Sequence, residues 1–510
     1  MRSLIRRLLA ATIQNRLIYL IFYYVIFVGF RGRVFRSGQQ TSFIPLRLHI
    51  SSAMMEIGKR TASSEILASL AHHFSDDVKF KEQLGISSFL AGDYNASRQT
   101  FQNHHDLRAR LHDLNQGQLP VRVLDHSWTL AIGHIAHLAI YFKALRLGWL
   151  EDKETVIFVS SDAKGNLPSG WPMLIYFREL GLQVVQSKTS KEKEAIEHLE
   201  NRFPDWAVSD EQKLTMFNAS SYSFWYGMVP DQGLALYGPY SAAVNKEWDR
   251  QGHAPIVSVD DDERRQFRRT MKSLLGLPED AWYVVLHVRE PGYHLSWHRR
   301  NPGTRNADIA TYQKVIDYII EQGGWVVRAG DQSMQSFPKQ DHVIDYATSP
   351  RKSPDLDISL CANCEYFIGT NSGFSLVPGV FGKRSLLTNW SPMAIPNWYK
   401  NDIFVPKKIW HKKQKRFLSA EEMMQSIGGW SQFKKDFDRS DFKVVDNSPE
   451  ELLAATLEMH EQVMNPNGAP YSASERAKID AFEKIIVENE GYVGSQISAS
   501  FLKNNPDFVS

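Results

Sequence analysis

Cysteine is nearly absent: of 510 residues, only Cys361 and Cys364 carry a thiol. That scarcity excludes a disulfide-stapled secreted scaffold and fits a reducing compartment. The pair has C-x-x-C spacing, but the second pair that a four-cysteine zinc site needs is missing. Residues 358–364 read as helix, so both thiols are expected in the core against a sheet. An excess of charge is missing too. Lys and Arg total 59 against 57 Asp and Glu, a formal net charge of +2, which gives no reason to expect nucleic acid as a partner. A full-length membrane span is also missing. Residues 17–30 are apolar or aromatic apart from Gly29, whereas a spanning helix needs roughly 20 such residues. Arg16 and Arg31 flank the run, so charge assigns no orientation, and the arginine-rich stretch 31–36 does not read as a signal-peptide cleavage site. The expectation is a helix lying on the cytoplasmic membrane face, a peripheral contact. A packing helix and a true span are the alternatives.

What is present is an ordinary globular composition, 43% hydrophobic and 23% charged, on a chain long enough for two or three domains. Aromatics make up 12%, with 13 Trp, compatible with sugar-stacking surfaces. Residues 1–40 form the basic and apolar N-terminal segment, and 41–118 read as helical. Within them Leu84-Gly85, Phe89, the stretch 91–97 and Phe101 partly resemble one tetratricopeptide unit, two helices joined at Gly92-Asp93, with a generic helical hairpin as the alternative. From Val121 the period changes. Strands at 121–124, 154–160 and 182–185 alternate with helices, the mark of a parallel sheet covered by helices. Residues 188–201 read as a charged helix. A second α/β series has strands at 282–289, 325–329, 343–346, 366–369 and 385–388, and helices at 307–322 and 357–364. Residues 119–250 and 251–465 therefore form two α/β domains, expected to face each other across a cleft, and 466–510 form a helical tail.

The densest chemistry lies at 364–389. A buried strand enters a turn of small polar residues, Thr370, Asn371, Ser372 and Gly373, with Ser375 just beyond; a helix then runs to 379–382. Backbone amides at such a turn favour an anion, and open α/β sheets bind ligands at the carboxyl ends of their strands. His287 and Arg289 are two apart at the end of another strand, so they leave the same face. Arg289 can grip phosphate bidentately, with an ion pair to Glu290 as the competing use. Arg328 and Asp331 end the next strand, with phosphate or base contact for Arg328, or an ion pair, and loop ordering for Asp331. Asn306 or Asp308 reads as a helix cap, and Asp355-x-Asp357 as capping rather than a metal site. Asp260, Asp261 and Asp262 read as another helix start. No metal and no cofactor beyond a donor substrate are expected, since Arg side chains and amides can carry the charge of a leaving diphosphate. His134, in a glycine-containing loop after the first strand, is the candidate general base, with Asp125 and His126 as rivals.

These residues resemble a group of bacterial glycosyltransferases encoded among surface-polysaccharide genes. The likeness runs in order through 132–134, 286–293, 305–312, 325–331, 344–347, 355–360, 367–373, 386–389 and 496–502. His287-Val288-Arg289 is similar to the His-x-Arg of fucosyltransferases, whose Arg holds the donor diphosphate. Glu290-Pro291 replaces the Arg and Asp expected next, which points away from GDP-fucose. The turn at 368–374 is similar to the donor-phosphate turn of heptosyltransferases. A helical region before such a body is similar to the layout of O-linked N-acetylglucosamine transferases. The resemblance implies a GT-B fold of two facing Rossmann-like domains. It also implies a metal-independent, cytoplasmic glycosyltransferase that moves sugar from a nucleotide-sugar donor to a glycan, lipid-linked or protein acceptor. His134, His287 and Arg289 would serve catalysis. Arg289, Arg328, Asp331, Thr370, Asn371, Ser372, Gly373 and Ser375 would bind the donor. A membrane-associated scaffold with a degenerate transferase body, or a sugar-nucleotide epimerase, are the alternative readings.

Overall fold

The computed structural model describes residues 51, 60–74, 77–114, 121–124, 126–159, 171–186, 222–291, 303–438, 440–467 and 471–509. The apolar run at 17–30, the charged segment 188–201 and Asp125 lie outside the described residues. Among the described residues, no helix is long and apolar enough to cross a membrane. The chain divides into two compact units, 1–104 and 105–510.

The first unit is helical: α1 (Arg60–Leu70), α2 (Val78–Ala91) and the start of α3 (Tyr94–Leu114). Asp77 caps α2 by accepting the Phe80 N–H, and Gly92, at φ +87°, ends it in the left-handed region. A Cβ at Gly85 would stand 2.8 Å from the Phe101 ring, so the two helices cross closely there. The hairpin expected at Gly92-Asp93 is thus present. The division after residue 104 falls inside α3.

The second unit holds both α/β series. In the first, β1 (Val121–Leu124), β2 (Glu154–Val159) and β3 (Leu182–Gln186) pair in parallel. The helix α4 (His134–Arg146) connects β1 to β2 and buries an apolar face that includes Ile135, Leu138 and Phe142. A hairpin of β4 (Tyr226–Val229) and β5 (Gly233–Leu236) leads into α5 (Tyr237–Arg250). Asp260 then opens α6 (Asp261–Leu275) with a full capping box to Glu263, the helix start read from the three aspartates.

The second series builds a seven-stranded sheet. Its strands are β6 (Tyr283–His287), β7 (Trp325–Arg328), β8 (Val343–Asp345), β9 (Tyr366–Gly369), β10 (Ser385–Trp390), β11 (Ile403–Pro406) and β12 (Gln496–Ile497). They lie in the order β12-β11-β10-β9-β6-β7-β8, every pair parallel. Alternate residues of β6 feed two cores. Tyr283 and Val285 join one with Val327 and Phe367, while Val284 and Leu286 join the other with Val326 and Ile368. A strand buried on both faces needs apolar residues at nearly every position, which is why these strands read as continuous apolar runs. Cys361 and Cys364 sit in the first core as free thiols, and burial pushes the Cys364 thiol up to about 12.

Two helices differ from the sequence reading. The stretch 307–322 is a 3-10 turn at Ile309–Tyr312 followed by α7 (Gln313–Glu321). Asp308 caps the turn through the Ala310 N–H; Asn306 does not, because its side chain is engaged by Arg289. The helix after Gly373 is only a 3-10 turn, Phe374–Leu376, and one further turn, Val377–Val380. Elements this short sum little dipole, so the expected helix-terminus contribution to anion binding is lost. The helix α8 (Pro354–Asn363) opens at Ser353, whose hydroxyl accepts the Leu356 N–H; Asp355 and Asp357 occupy its first turn, as capping predicts.

Candidate functional site

After β6 the chain moves outward to β7 and β8, then returns to lay β9 on the other side of β6. The strand order therefore reverses between β6 and β9, and ligands of open α/β sheets bind in the crevice outside such a reversal. A cavity of about 610 Å³ opens there. Its walls come from the ends of three adjacent strands: His287 to Glu290 after β6, Gly330 to Met334 after β7, and Ser372 to Phe374 after β9. Lys352, Ser353 and Asp357 close one side at the start of α8. Ala131, Ile132 and Gly133 close another from the loop before α4, so both α/β series contribute.

The two series meet there backbone to backbone. A Cβ added at Gly133 would lie 2.5 Å from the Gly373 Cα and 2.6 Å from its carbonyl oxygen. The reverse change is milder, since a Cβ on Gly373 would meet Gly133 at 3.4 Å. Gly133→Ala is therefore expected to cost about 1–3 kcal/mol, the usual range for overpacking, with Gly373→Ala costing less. Urea unfolding of both variants checks the order; equal midpoints would remove the close approach as a constraint.

Arg289 is buried, and its guanidinium donates to the Asn306 side chain. Its backbone N–H donates to Thr370 Oγ1 at 2.9 Å, tying the end of β6 to the turn after β9. Glu290 does not pair with Arg289. It accepts from Arg328 at 2.7 Å, and Asp345 takes the other arm of the same guanidinium at 2.7 Å. Arg328 is fully buried and does not line the cavity, and its two carboxylate contacts are the ion-pair use read as the alternative to a phosphate or base contact. Carboxylates engage both terminal nitrogens, while its buried Nε–H finds no acceptor, away from the cavity wall.

The small polar turn divides similarly. Ser372 and Gly373 line the cavity. Thr370 and Ser375 are buried, and their hydroxyls serve internal bonds, Thr370 to the Arg289 N–H and Ser375 to the Ser372 carbonyl at 2.7 Å. Asn371 donates to the Ser391 carbonyl at 2.8 Å. These three hold the turn in shape and do not line the cavity. Asp331 lines it, and one of its oxygens accepts the Ser333 N–H at 2.9 Å, the loop-ordering contact anticipated for it.

His287 lines the cavity, with Nδ1 3.1 Å from the Ala329 carbonyl. That carbonyl can only accept, so Nδ1 carries the proton and Nε2 keeps its lone pair. Burial pulls the imidazole pKa down to about 4, and the nearby Arg289 cation adds to this. The ring is therefore neutral in the fold at pH 7 and accepts a hydrogen bond better than it holds a proton. The unfolded chain takes up this proton below the ordinary value of 6.5, whereas the native chain does so only near 4. The stability this contributes is present above 6.5 and is lost as pH falls from 6.5 towards 4. Urea midpoints across that window are expected to fall more steeply for the wild type than for His287→Asn. Parallel profiles would contradict a buried neutral imidazole.

His134 does not line the cavity, although its neighbours Ala131 to Gly133 do. It is the first residue of α4, its Nδ1 lies 2.6 Å from the Ser127 carbonyl, and its ring packs near Phe224 and His137. Among its two rivals, Asp125 is outside the described residues, and His126 lies in a 3-10 turn.

Cavity residues that the sequence did not single out as site residues include the charged Arg305, Lys352 and Asp357. Lys352 and Asp357 pair at 2.5 Å, and burial raises the Asp357 pKa while the ammonium opposes it. Beside that pair, the wall carries the guanidiniums of Arg289 and Arg305 and the carboxylates of Glu290, which is held by Arg328, and Asp331. The two guanidiniums are the groups that suit an anionic guest.

No protein-family model matches the chain. No curated protein matches it either. Among solved structures it is similar to a family 9 glycosyl transferase from Veillonella parvula DSM 2008, at TM-score 0.37 and 10% identity over 68% of this chain and 97% of that one. It is also similar to E. coli heptosyltransferase WaaC with ADP-2-deoxy-2-fluoro heptose, at TM-score 0.30 and 10% identity over 56% of this chain and 92% of that one. A third likeness is to TibC, a bacterial iron-containing dodecameric glycosyltransferase from enterotoxigenic E. coli H10407, at TM-score 0.29 and 14% identity over 56% of this chain and 61% of that one. All three likenesses are distant, and the site described above rests on none of them.

Proposed function

We propose that the protein is a nucleotide-sugar-dependent glycosyltransferase of GT-B type, with residues 119–250 as the acceptor domain and 251–465 as the donor domain. One observation carries the reading. Arg289 after β6 and the exposed edge of the Ser372-Gly373 turn after β9 converge on one cavity at the point of strand-order reversal. A diphosphate ester is the guest such a place suits: guanidinium groups match phosphate oxygens, and the crevice leaves room for a nucleoside along β7. Ala131 to Gly133 bring the acceptor side against it. In this reading the sugar transfers by direct displacement, and Arg289 with the turn amides stabilises charge as it grows on the leaving diphosphate. His287 Nε2 takes a hydrogen bond from a substrate hydroxyl. The acceptor is a glycan, a lipid-linked sugar or a protein.

The test is a thermal-shift series with UDP, GDP, ADP and CMP on the full chain. A ligand at about 100 times its Kd adds about 2.7 kcal/mol to the stability of the native state, enough to read as a raised melting point. One of the four is expected to do so. Silence from all four, and from the matching sugar nucleotides, would remove the reading.

A further inference from the structure

Arg305 combines a fixed backbone with an unsatisfied Nε–H. Every residue around it is pinned. Gly303 bridges to Phe433 across an antiparallel contact. The Thr304 N–H donates to the Gln432 carbonyl at 2.9 Å, and its hydroxyl meets Ser391 Oγ at 2.7 Å. The Asn306 carbonyl accepts from Lys407 at 2.6 Å, and the Ala307 N–H donates to the Arg289 carbonyl at 3.1 Å. A loop tied at four successive neighbours presents its middle side chain in a set direction. That side chain lines the cavity, yet its buried Nε–H finds no acceptor, and no carboxylate pairs with it among the described residues. Arg305 is half-buried, and a guanidinium partly withdrawn from water with an unsatisfied donor is unfavourable; proteins usually answer such a charge with a partner. Arg289, which shares the cavity, is reached through the neighbouring Asn306 side chain.

We propose that Arg305 is a ligand-binding residue that takes the second charge of a diphosphate, so that the cavity selects diphosphate over monophosphate groups. This deepens the nucleotide-sugar reading and rests on it. Arg289 meets one phosphoryl group from the end of β6, and Arg305 meets the other from the pinned loop. The guest supplies the counter-charge that the protein withholds.

The experiment titrates the full-length protein with inorganic pyrophosphate and inorganic phosphate, in the wild type, Arg305→Met and Arg305→Lys. The wild type is expected to prefer pyrophosphate. Arg305→Met is expected to lose roughly 10–100-fold in pyrophosphate affinity, the range for a charge-assisted contact, with phosphate affinity little changed. Arg305→Lys is expected to recover part of the loss. The ligand-free melting point of Arg305→Met should be equal to or above that of the wild type, because a charge without a partner has been removed; a structural arginine would lower it. Pyrophosphate bound as tightly by Arg305→Met as by the wild type overturns the proposal. So does an equal loss for both anions with a lowered melting point. If Arg305→Met loses pyrophosphate but no sugar nucleotide is ever consumed by the wild type, the site stands and the transferase reading falls. If Arg305→Met turns over sugar nucleotide like the wild type, the reverse holds.

Discussion

Arg289→Ala is expected to lower sugar transfer by about 10²–10³-fold, the range for removing one preorganised donor from a developing charge. The backbone link from residue 289 to Thr370 survives the substitution, because the main-chain N–H makes it. The Asn306 side chain loses its guanidinium donor but lies against the cavity loop, where water can replace it. The fold should therefore persist while the chemistry fails. Arg289→Lys should rescue little, since an ammonium cannot offer two parallel donors to one phosphate. The check is transfer rate with whichever donor the nucleotide series identifies, alongside circular dichroism of the purified variant. Wild-type turnover from a folded Arg289→Ala protein would remove Arg289 from the mechanism.

Arg328→Met is expected to do the opposite and strike the fold first, with a loss of about 3–5 kcal/mol, the range for breaking a buried pair from one side. Its side chain is 1% exposed, and it is the shared partner of Glu290 and Asp345, which are 11% and 18% exposed. Removing the cation leaves two largely buried carboxylates in each other's neighbourhood. It also frees Glu290 beside Arg289, so anion binding should weaken as well. The triple variant with Glu290→Gln and Asp345→Asn should recover much of the stability. Urea unfolding settles both points: a midpoint unchanged in Arg328→Met would show that the carboxylates do not need it.

Why Arg289 and Arg328 differ so much could not be read from the chain. Arg328 ends its buried strand and Arg289 lies two residues beyond the end of its own, each is followed by small or acidic residues, and the sheet edge is the same. The difference is which carboxylate reaches which guanidinium, and that depends on β6 and β7 lying side by side with Glu290 leaning across. The same holds for Thr370, Asn371 and Ser375. As small polar residues in a turn they look alike, yet Thr370 and Ser375 spend their hydroxyls inside the fold and only Ser372 and Gly373 face the cavity. What was legible was local and periodic. Apolar runs such as Tyr366–Gly369 can satisfy burial on two faces only inside a parallel sheet, and Gly92 and Asp260 mark helix ends by backbone chemistry alone. Arg305 left one trace, its place beside Asn306 ahead of a helix. Its lack of a partner is a property of three dimensions. Helix lengths after Gly373 and at 307–322 were overread because caps and buried anchors, here Asp308 and Tyr312, interrupt a periodicity that composition would carry further.

The contact between Gly133 and Gly373 bears on how this protein can change over time. Main chain has no rotamers to yield, so this van der Waals contact between the two α/β series cannot be relaxed by repacking side chains there. Variation that alters what the crevice accepts can accumulate among the side chains of its rim. The spacing of the jaws themselves is inherited whole, and a chain that lost the first glycine would have to move a backbone to survive it.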